Sequence, residues 1–256
     1  AGERHWDDVV TIDGTPLPGG EYRMLPAGAQ VTLRDLATRM ISVSDNSATD
    51  ILLHFLGRAR VEAMIETTGV APDHAARNRP LPTTLELFKL KGANGGALGT
   101  QWIAADEDAR RAMLAGAIMR TPVTAIDPAM FATGVPLRVE QLEYFASPMD
   151  MVRTMDWLRR NTQNNPEARA ILSVNPGIPE DTARHYSFVG YKGGSESGVI
   201  HMTLLLRGPD AQWRVLTASW NNPDAAVDDM RFIGLIGAIA AQLAPDATGP
   251  APRPAP

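Results

Sequence analysis

Apolar residues Leu33, Leu36, Ala37, Met40 and Ile41 recur at spacings of three and four, which marks one face of a helix. Thr32 with Asp35 supplies a capping box at its start. This helix is predicted to stop at Ser44-Asp45-Asn46. A second is predicted over about 48–55 with Gly57 as its stop, and a third, in VEAMIETTG, ends at Gly69. Short helices separated by tight turns predict a compact helical subdomain. From 74 to 138 the periodicity weakens: LKGANGGALGT reads as a flexible loop and DEDARRAMLAGAIM as a moderately amphipathic helix. At Ser147 the pattern sharpens. SPMD gives an N-cap, a proline at the first helical position and Asp150 to close a capping box, ahead of the helix MDMVRTMDWLRRN.

After a Pro- and Asn-rich connection, three strand-like runs follow: HYSFVGYK, GVIHMTLLLR and QWRVLTASW. Gly208-Pro209-Asp210-Ala211 links the last two as a hairpin loop. A final helix over about 227–243 is apolar nearly all round and is therefore expected to be covered on most sides. Residues 1–30, rich in Gly and Pro, read as an irregular leading segment, and 244–256, dominated by Pro and Ala, as a disordered tail. Helices first, then antiparallel strands and a helix, is an α+β order without internal repeats.

Composition narrows the function classes. With 256 residues and 44% hydrophobic residues the chain can bury a substantial core, as one domain or two interleaved ones. A net charge of -5, with no basic run longer than Arg110-Arg111 or Arg159-Arg160, argues against nucleic acid as a partner. The absence of cysteine excludes disulfides, thiol nucleophiles and zinc thiolates. FIGLIGAIAAQL, the most apolar stretch, falls short of the roughly 20 residues a membrane span needs. The histidines His5, His54, His74, His185 and His201 show no metal-ligand spacing and read as ordinary core or surface residues; no metal or cofactor is implied. GANGGALG lacks the lysine of a phosphate-binding loop.

Two segments carry chemistry: Ser44-Asp45-Asn46 between two helices, and Lys192-Gly193-Gly194 on a strand, followed by the turn SESG and a long apolar strand. Singly, each also fits a bland role, as a helix-capping turn and as a β-bulge beside a turn. Together and in this order they resemble the S-D-N and K-T-G elements of the class A β-lactamase and penicillin-binding-protein superfamily. The resemblance implies an α+β fold in which a helical subdomain lies beside an antiparallel sheet flanked by helices. Residues 31–243 would form a partial domain of this kind, with 31–165 the helical part carrying an insertion and 183–243 the sheet and C-terminal helix. It further implies a serine hydrolase acting by acyl transfer on a small-molecule or peptide amide or an ester, in the periplasm or outside the cell. Ser44 would relay a proton to the leaving group, Asn46 would orient the substrate amide, and Asp45 would brace the turn. Lys192 would face Ser44 as the cation, and the Ser195 N–H would give half an oxyanion hole. Gly193 and Gly194 would let substrate lie against the strand, with Ser197 also in the substrate-binding set.

The sequence departs from that pattern in three ways. No serine is followed three positions later by lysine, so the S-x-x-K element, with the N-terminal part of the domain, is expected upstream of Ala1. The alternative reading is a non-catalytic relative that binds an amide ligand. Gly193 replaces the hydroxyl residue of K-T-G, which removes one hydrogen bond to a substrate carboxylate. No E-x-x-L-N string is present; Glu140 and Glu143 fall where its glutamate would lie, but read as a solvated charged face. In the family the strand matching QWRVLTASW is internal, so here it is expected to be an exposed edge through which the chain self-associates.

Overall fold

The computed structural model describes residues 3–244. The leading segment is more ordered than its composition suggests. Strand β1 (Val9–Thr11) pairs antiparallel with β2 (Gln30–Thr32), Val10 opposite Val31. The chain doubles back through Ile12 N to Ala29 O at 2.9 Å and Gly28 N to Ile12 O at 2.7 Å, and Ile12 is buried. Strands of three residues are too short to give a readable alternation, and this hid them among the glycines and prolines.

Thr32 caps α1 (Leu33–Ser42) with the predicted capping box, which buries Leu33, Leu36 and Ala37. Asp45 caps α2 (Asn46–Leu56), and Gly57, at φ 87, turns the chain into α3 (Arg58–Thr67), followed by α4 (Pro72–Arg77). Val31, Leu33, Leu36, Ala48, Ile51 and Leu52 form a core with β1 and β2. Each such side chain contributes about 1.5–3 kcal/mol by leaving water.

The stretch expected to be a flexible loop is helical. Its first residues end α5 (Thr84–Gly92) and its last begin α6 (Ala97–Ala104). Gly95 and Gly96 supply the positive φ of the turn between these helices, whereas Gly99 is there for contact: a Cβ on it would lie 2.6 Å from Leu90 O and 2.7 Å from a Leu142 methyl. Helix α7 (Glu107–Met113) runs on into a π-turn over Leu114–Ile118, and α8 (Ala129–Ala132) follows. Leu87, Leu90, Leu98, Trp102, Leu114, Ile118 and Leu142 close into a cluster drawn entirely from residues 84–142.

Ser147 caps α9 (Pro148–Asn161), which is followed by α10 (Pro166–Leu172) and α11 (Glu180–Ala183). Asp150 is fully buried. It accepts from Ser147 N and Ala71 N at 2.8 Å each and pairs with His74 Nδ1 at 2.5 Å. Burial by itself would raise the Asp150 pKa, but these bonds outweigh it and hold the carboxyl well below the usual range.

The sheet runs β3 (Phe188–Glu196), β4 (Val199–Arg207) and β5 (Trp213–Asn221), antiparallel, with β4 in the middle. Ile200, Met202, Leu204 and Leu206 point to one face and pack on Phe232, Ile236 and Ala240 of α12 (Asp229–Leu243). His201 and Thr203 point to the other, towards the side on which α9 packs. Helix α12 is not covered on most sides: Met230 is 76% and Leu235 57% exposed, because the sheet meets only one stripe of an all-apolar helix. No helix among the described residues is long and apolar enough to cross a membrane. Of the expected tail, only Ala244 lies within the described residues.

Candidate active site

Ser44 follows the end of α1 and adopts φ 55, a left-handed conformation that costs a non-glycine residue about 1 kcal/mol or more. Asp45 holds the turn in place. It is 3% exposed, and its carboxylate accepts from Ala48 N at 2.9 Å, Glu21 N at 2.8 Å and Tyr22 N at 3.4 Å. Ser47 Oγ adds a bond to Gly19 O at 2.8 Å. The segment 19–22 therefore acts as a brace behind the turn, which leaves Ser44 exposed on the other side.

Across 148 positions of sequence, Lys192 Nζ donates to Ser44 Oγ at 2.8 Å. Its second bond is to the carbonyl of Gly193. Burial lowers the Lys192 pKa. Because the ammonium donates to the Ser44 oxygen, the Ser44 proton is left free to be donated onward.

Gly194 and Ser195 are exposed and Gly193 is half-buried on β3, an edge strand with one side unpaired among the described residues. Ser197 sits in the turn after β3, ahead of Gly198 at φ 82. Asn46 is the first residue of α2, two positions from Ser44, and is half-buried. Ser44 and Lys192 are in direct contact; Asn46, Gly193, Gly194 and Ser195 lie within three positions of one or the other, whereas Ser197 lies past the end of the strand.

Two features escape sequence reasoning. The first is a polar ladder on the Lys192 face of the sheet, with His201 Nδ1 2.7 Å from Ser219 Oγ and Nε2 2.6 Å from Thr203 Oγ1, which is 2.8 Å from Thr217 Oγ1. Burial, and secondarily Lys192, lowers the His201 pKa and so keeps the imidazole neutral. His201 and Thr203 alternate on β4, as Thr217 and Ser219 do on β5, and that period-two polarity was the available signal.

The second is an ionic knot. Lys91 Nζ, on a side chain only 1% exposed, lies 2.7 Å from both carboxylate oxygens of Glu196 and also pairs with Glu143. Glu143 is thus not part of a solvated face, although Glu140 is exposed. Burial first, and then the neighbouring Glu143, push the Glu196 carboxyl up to about 8. Glu196 is the last residue of β3, next to Ser195, so the knot ties Lys91 of α5 and Glu143 to the end of the site strand. Nothing in the spacing of residues 91, 143 and 196 could have revealed it.

Residues 1–244 match the family model described as the Beta-lactamase enzyme family. No curated protein matches the chain. Among solved structures, the beta-lactamase from Sphaerobacter thermophilus DSM 20745 aligns over 94% of this chain and 74% of its own, at 22% identity and a TM-score of 0.57. The chromosome-encoded beta-lactamase of Vibrio parahaemolyticus aligns over 94% and 75%, at 12% identity and a TM-score of 0.56. A mutant of PBP-A, as its acyl-enzyme complex with penicillin G, aligns over 94% and 72%, at 14% identity and a TM-score of 0.54. At these identities the likeness to solved structures is one of fold.

Proposed function

The chain belongs to the beta-lactamase enzyme family, and from that premise we propose that it serves acyl transfer on a cyclic amide, a peptide amide or an ester, in the periplasm or outside the cell. Within this reading it supplies the proton-relay turn and the carboxylate-facing strand rather than the nucleophile. The observation that carries the proposal is the 2.8 Å bond from Lys192 Nζ to Ser44 Oγ. Ser44, relieved of donating to the lysine, passes its proton to the departing group. Lys192 holds that oxygen and attracts the substrate carboxylate, Asn46 orients the substrate amide, and the Ser195 N–H faces the developing oxyanion.

These roles separate in a titration. Penicillin G is a suitable probe, since it is a carboxylate that a relative of this fold binds covalently. With this chain, intact-mass spectrometry is expected to show no adduct, because no serine has a lysine three positions on. Calorimetry is expected to show non-covalent binding weakened about tenfold or more by Lys192→Ala, the loss of a charged hydrogen-bond partner, and little changed by Ser44→Ala, whose hydroxyl serves the rate. A stable adduct, or equal losses in the two variants, would refute this division of roles.

We further propose self-association through the free side of β5. Trp220 is 36% exposed on that strand, and the uncovered stripe of α12, Met230, Ile233 and Leu235, is exposed beside the sheet. Sedimentation velocity is expected to show concentration-dependent dimers that Leu235→Lys weakens. A monomer throughout the micromolar range would contradict this.

A further inference from the structure

The polar ladder beside Lys192 holds a serine and a base that the acyl-transfer reading leaves unused. Lys192 stands opposite Thr203 and Gly194 opposite His201, and these two β4 residues stand opposite Thr217 and Ser219 of β5. Directly opposed residues share a face, so all of them lie on one side of the sheet. Ser219 Oγ is 2.7 Å from His201 Nδ1, and His201 Nε2 is 2.6 Å from Thr203 Oγ1. A hydroxyl, a base within hydrogen-bond reach of it and a third group that orients the base are the parts that turn a serine into a nucleophile.

Access changes along the ladder. Thr203 is fully buried, His201 is half-buried, and Ser219 is exposed although α9 packs on this side of β5. Opposite His201 the neighbouring strand carries no side chain at Gly194, where an added Cβ would meet nothing within 4 Å. The imidazole is thus fixed through Nε2 to a buried hydroxyl, while Nδ1 meets a hydroxyl that solvent reaches, with open space on the β3 side.

The charges suit a base. Burial lowers the His201 pKa and Lys192 adds to the shift, so the ring is a neutral acceptor at neutral pH. The other charged groups on this side are paired: Glu196 with Lys91, and on α9 Arg153 with Asp150, and Arg159 and Arg160 with Asp156. A lowered pKa also makes a weaker proton acceptor. Such a base suits an ester whose alcohol leaves readily, and not an amide, whose nitrogen has to be protonated as it departs.

We propose that Ser219 and His201 form a second nucleophilic centre of this chain, which takes the acyl group of an activated ester onto Ser219. With the ring proton on Nε2, donated to Thr203, Nδ1 accepts the Ser219 proton as Oγ bonds to the carbonyl carbon. The bond from that carbon to the alcohol oxygen then breaks, and the leaving oxygen takes the proton from His201. Water, deprotonated by the same nitrogen, cleaves the acyl-serine, which releases the acid and restores the hydroxyl. The Lys192–Ser44 bond takes no part, so this centre is tested independently of the function proposed above.

The test uses the 256-residue chain with a fluorophosphonate, which bonds to an activated serine with loss of fluoride, and with nitrophenyl acetate as the ester. Peptide mass mapping is expected to place the phosphonyl group on Ser219, and Ser219→Ala to abolish it. His201→Gln, which keeps a hydrogen-bonding side chain but takes no proton, is expected to slow labelling and ester cleavage about a hundredfold or more. In wild type the rate should rise with pH as the imidazole loses its proton and level off below the ordinary histidine value of 6.5, a profile that also serves if His201→Gln folds poorly. Labelling spread evenly over the exposed serines, a rate that keeps climbing through neutral pH, or a full rate in folded His201→Gln would overturn the proposal.

Discussion

Lys91→Ala is expected to cost about 3–5 kcal/mol of folding stability, the usual price of stranding buried charges by removing their only counter-ion. Two carboxylates converge on this ammonium, and among the described residues Glu143 and Glu196 have no other cation within ion-pair distance. Chemical denaturation measures the loss, and a loss under about 1 kcal/mol would show that water reaches the cluster. Combining Lys91→Met with Glu143→Gln and Glu196→Gln should recover most of it, because no charge is then left unpaired. The same knot sets a pH dependence. Glu196 has its folded pKa raised from 4.5 to about 8. For a group raised on folding, the favourable contribution is complete below the unfolded value and disappears as pH rises through the folded one. Wild-type stability should therefore decline between about pH 4.5 and 8, and Glu196→Gln should flatten that decline.

Asp45→Ala is expected to cost about 3 kcal/mol and to disorder the site turn, the sum of a lost helix cap and of charged hydrogen bonds to buried N–H groups. The carboxylate binds Ala48 N, Glu21 N and Tyr22 N together, and its space is closed by Gly20, where a Cβ would overlap it. Without it Ser44 is held at φ 55 only by the Ser47 bonds to Gly19 and the backbone of the turn, and the Lys192 bond should weaken with it. Asp45→Asn, which keeps one acceptor oxygen, should fall between the two in denaturation. Wild-type stability in Asp45→Ala would show that the segment 19–22 holds the turn by itself.

The sequence made the regular elements legible where a period or a cap was present. Thr32 with Asp35, and Ser147 with Asp150, mark helix starts that the structure keeps, and the three strand runs lie where alternation and the Gly208–Ala211 hairpin put them. Ser44 and Lys192, picked out in the sequence by their motifs, lie 2.8 Å apart in the fold. What stayed hidden depends on tertiary contact. Gly99 looks like part of a loop until Leu90 and Leu142 are packed against it, and Glu143 looks solvated until a buried lysine 52 positions away reaches it.

Residues 84–142 have an apolar cluster of their own, and a set of ion pairs and charged hydrogen bonds joins them to the rest. Arg58 pairs with Glu86 at 2.8 Å, Arg111 with Glu62 at 2.9 Å, Asp50 accepts from the first N–H groups of α5, and Lys91 reaches Glu196. Such a boundary responds to ionic strength and temperature differently from an oily one: partly exposed ion pairs weaken as salt screens them, while the apolar cluster on either side is unaffected or tightened. Raised salt should therefore loosen Arg58–Glu86 and Arg111–Glu62, which are partly exposed, before it reaches either apolar cluster. Lys91, on a side chain only 1% exposed, is screened far less, so the end of β3 beside Glu196 stays tied to this segment under conditions that slacken the rest of its border.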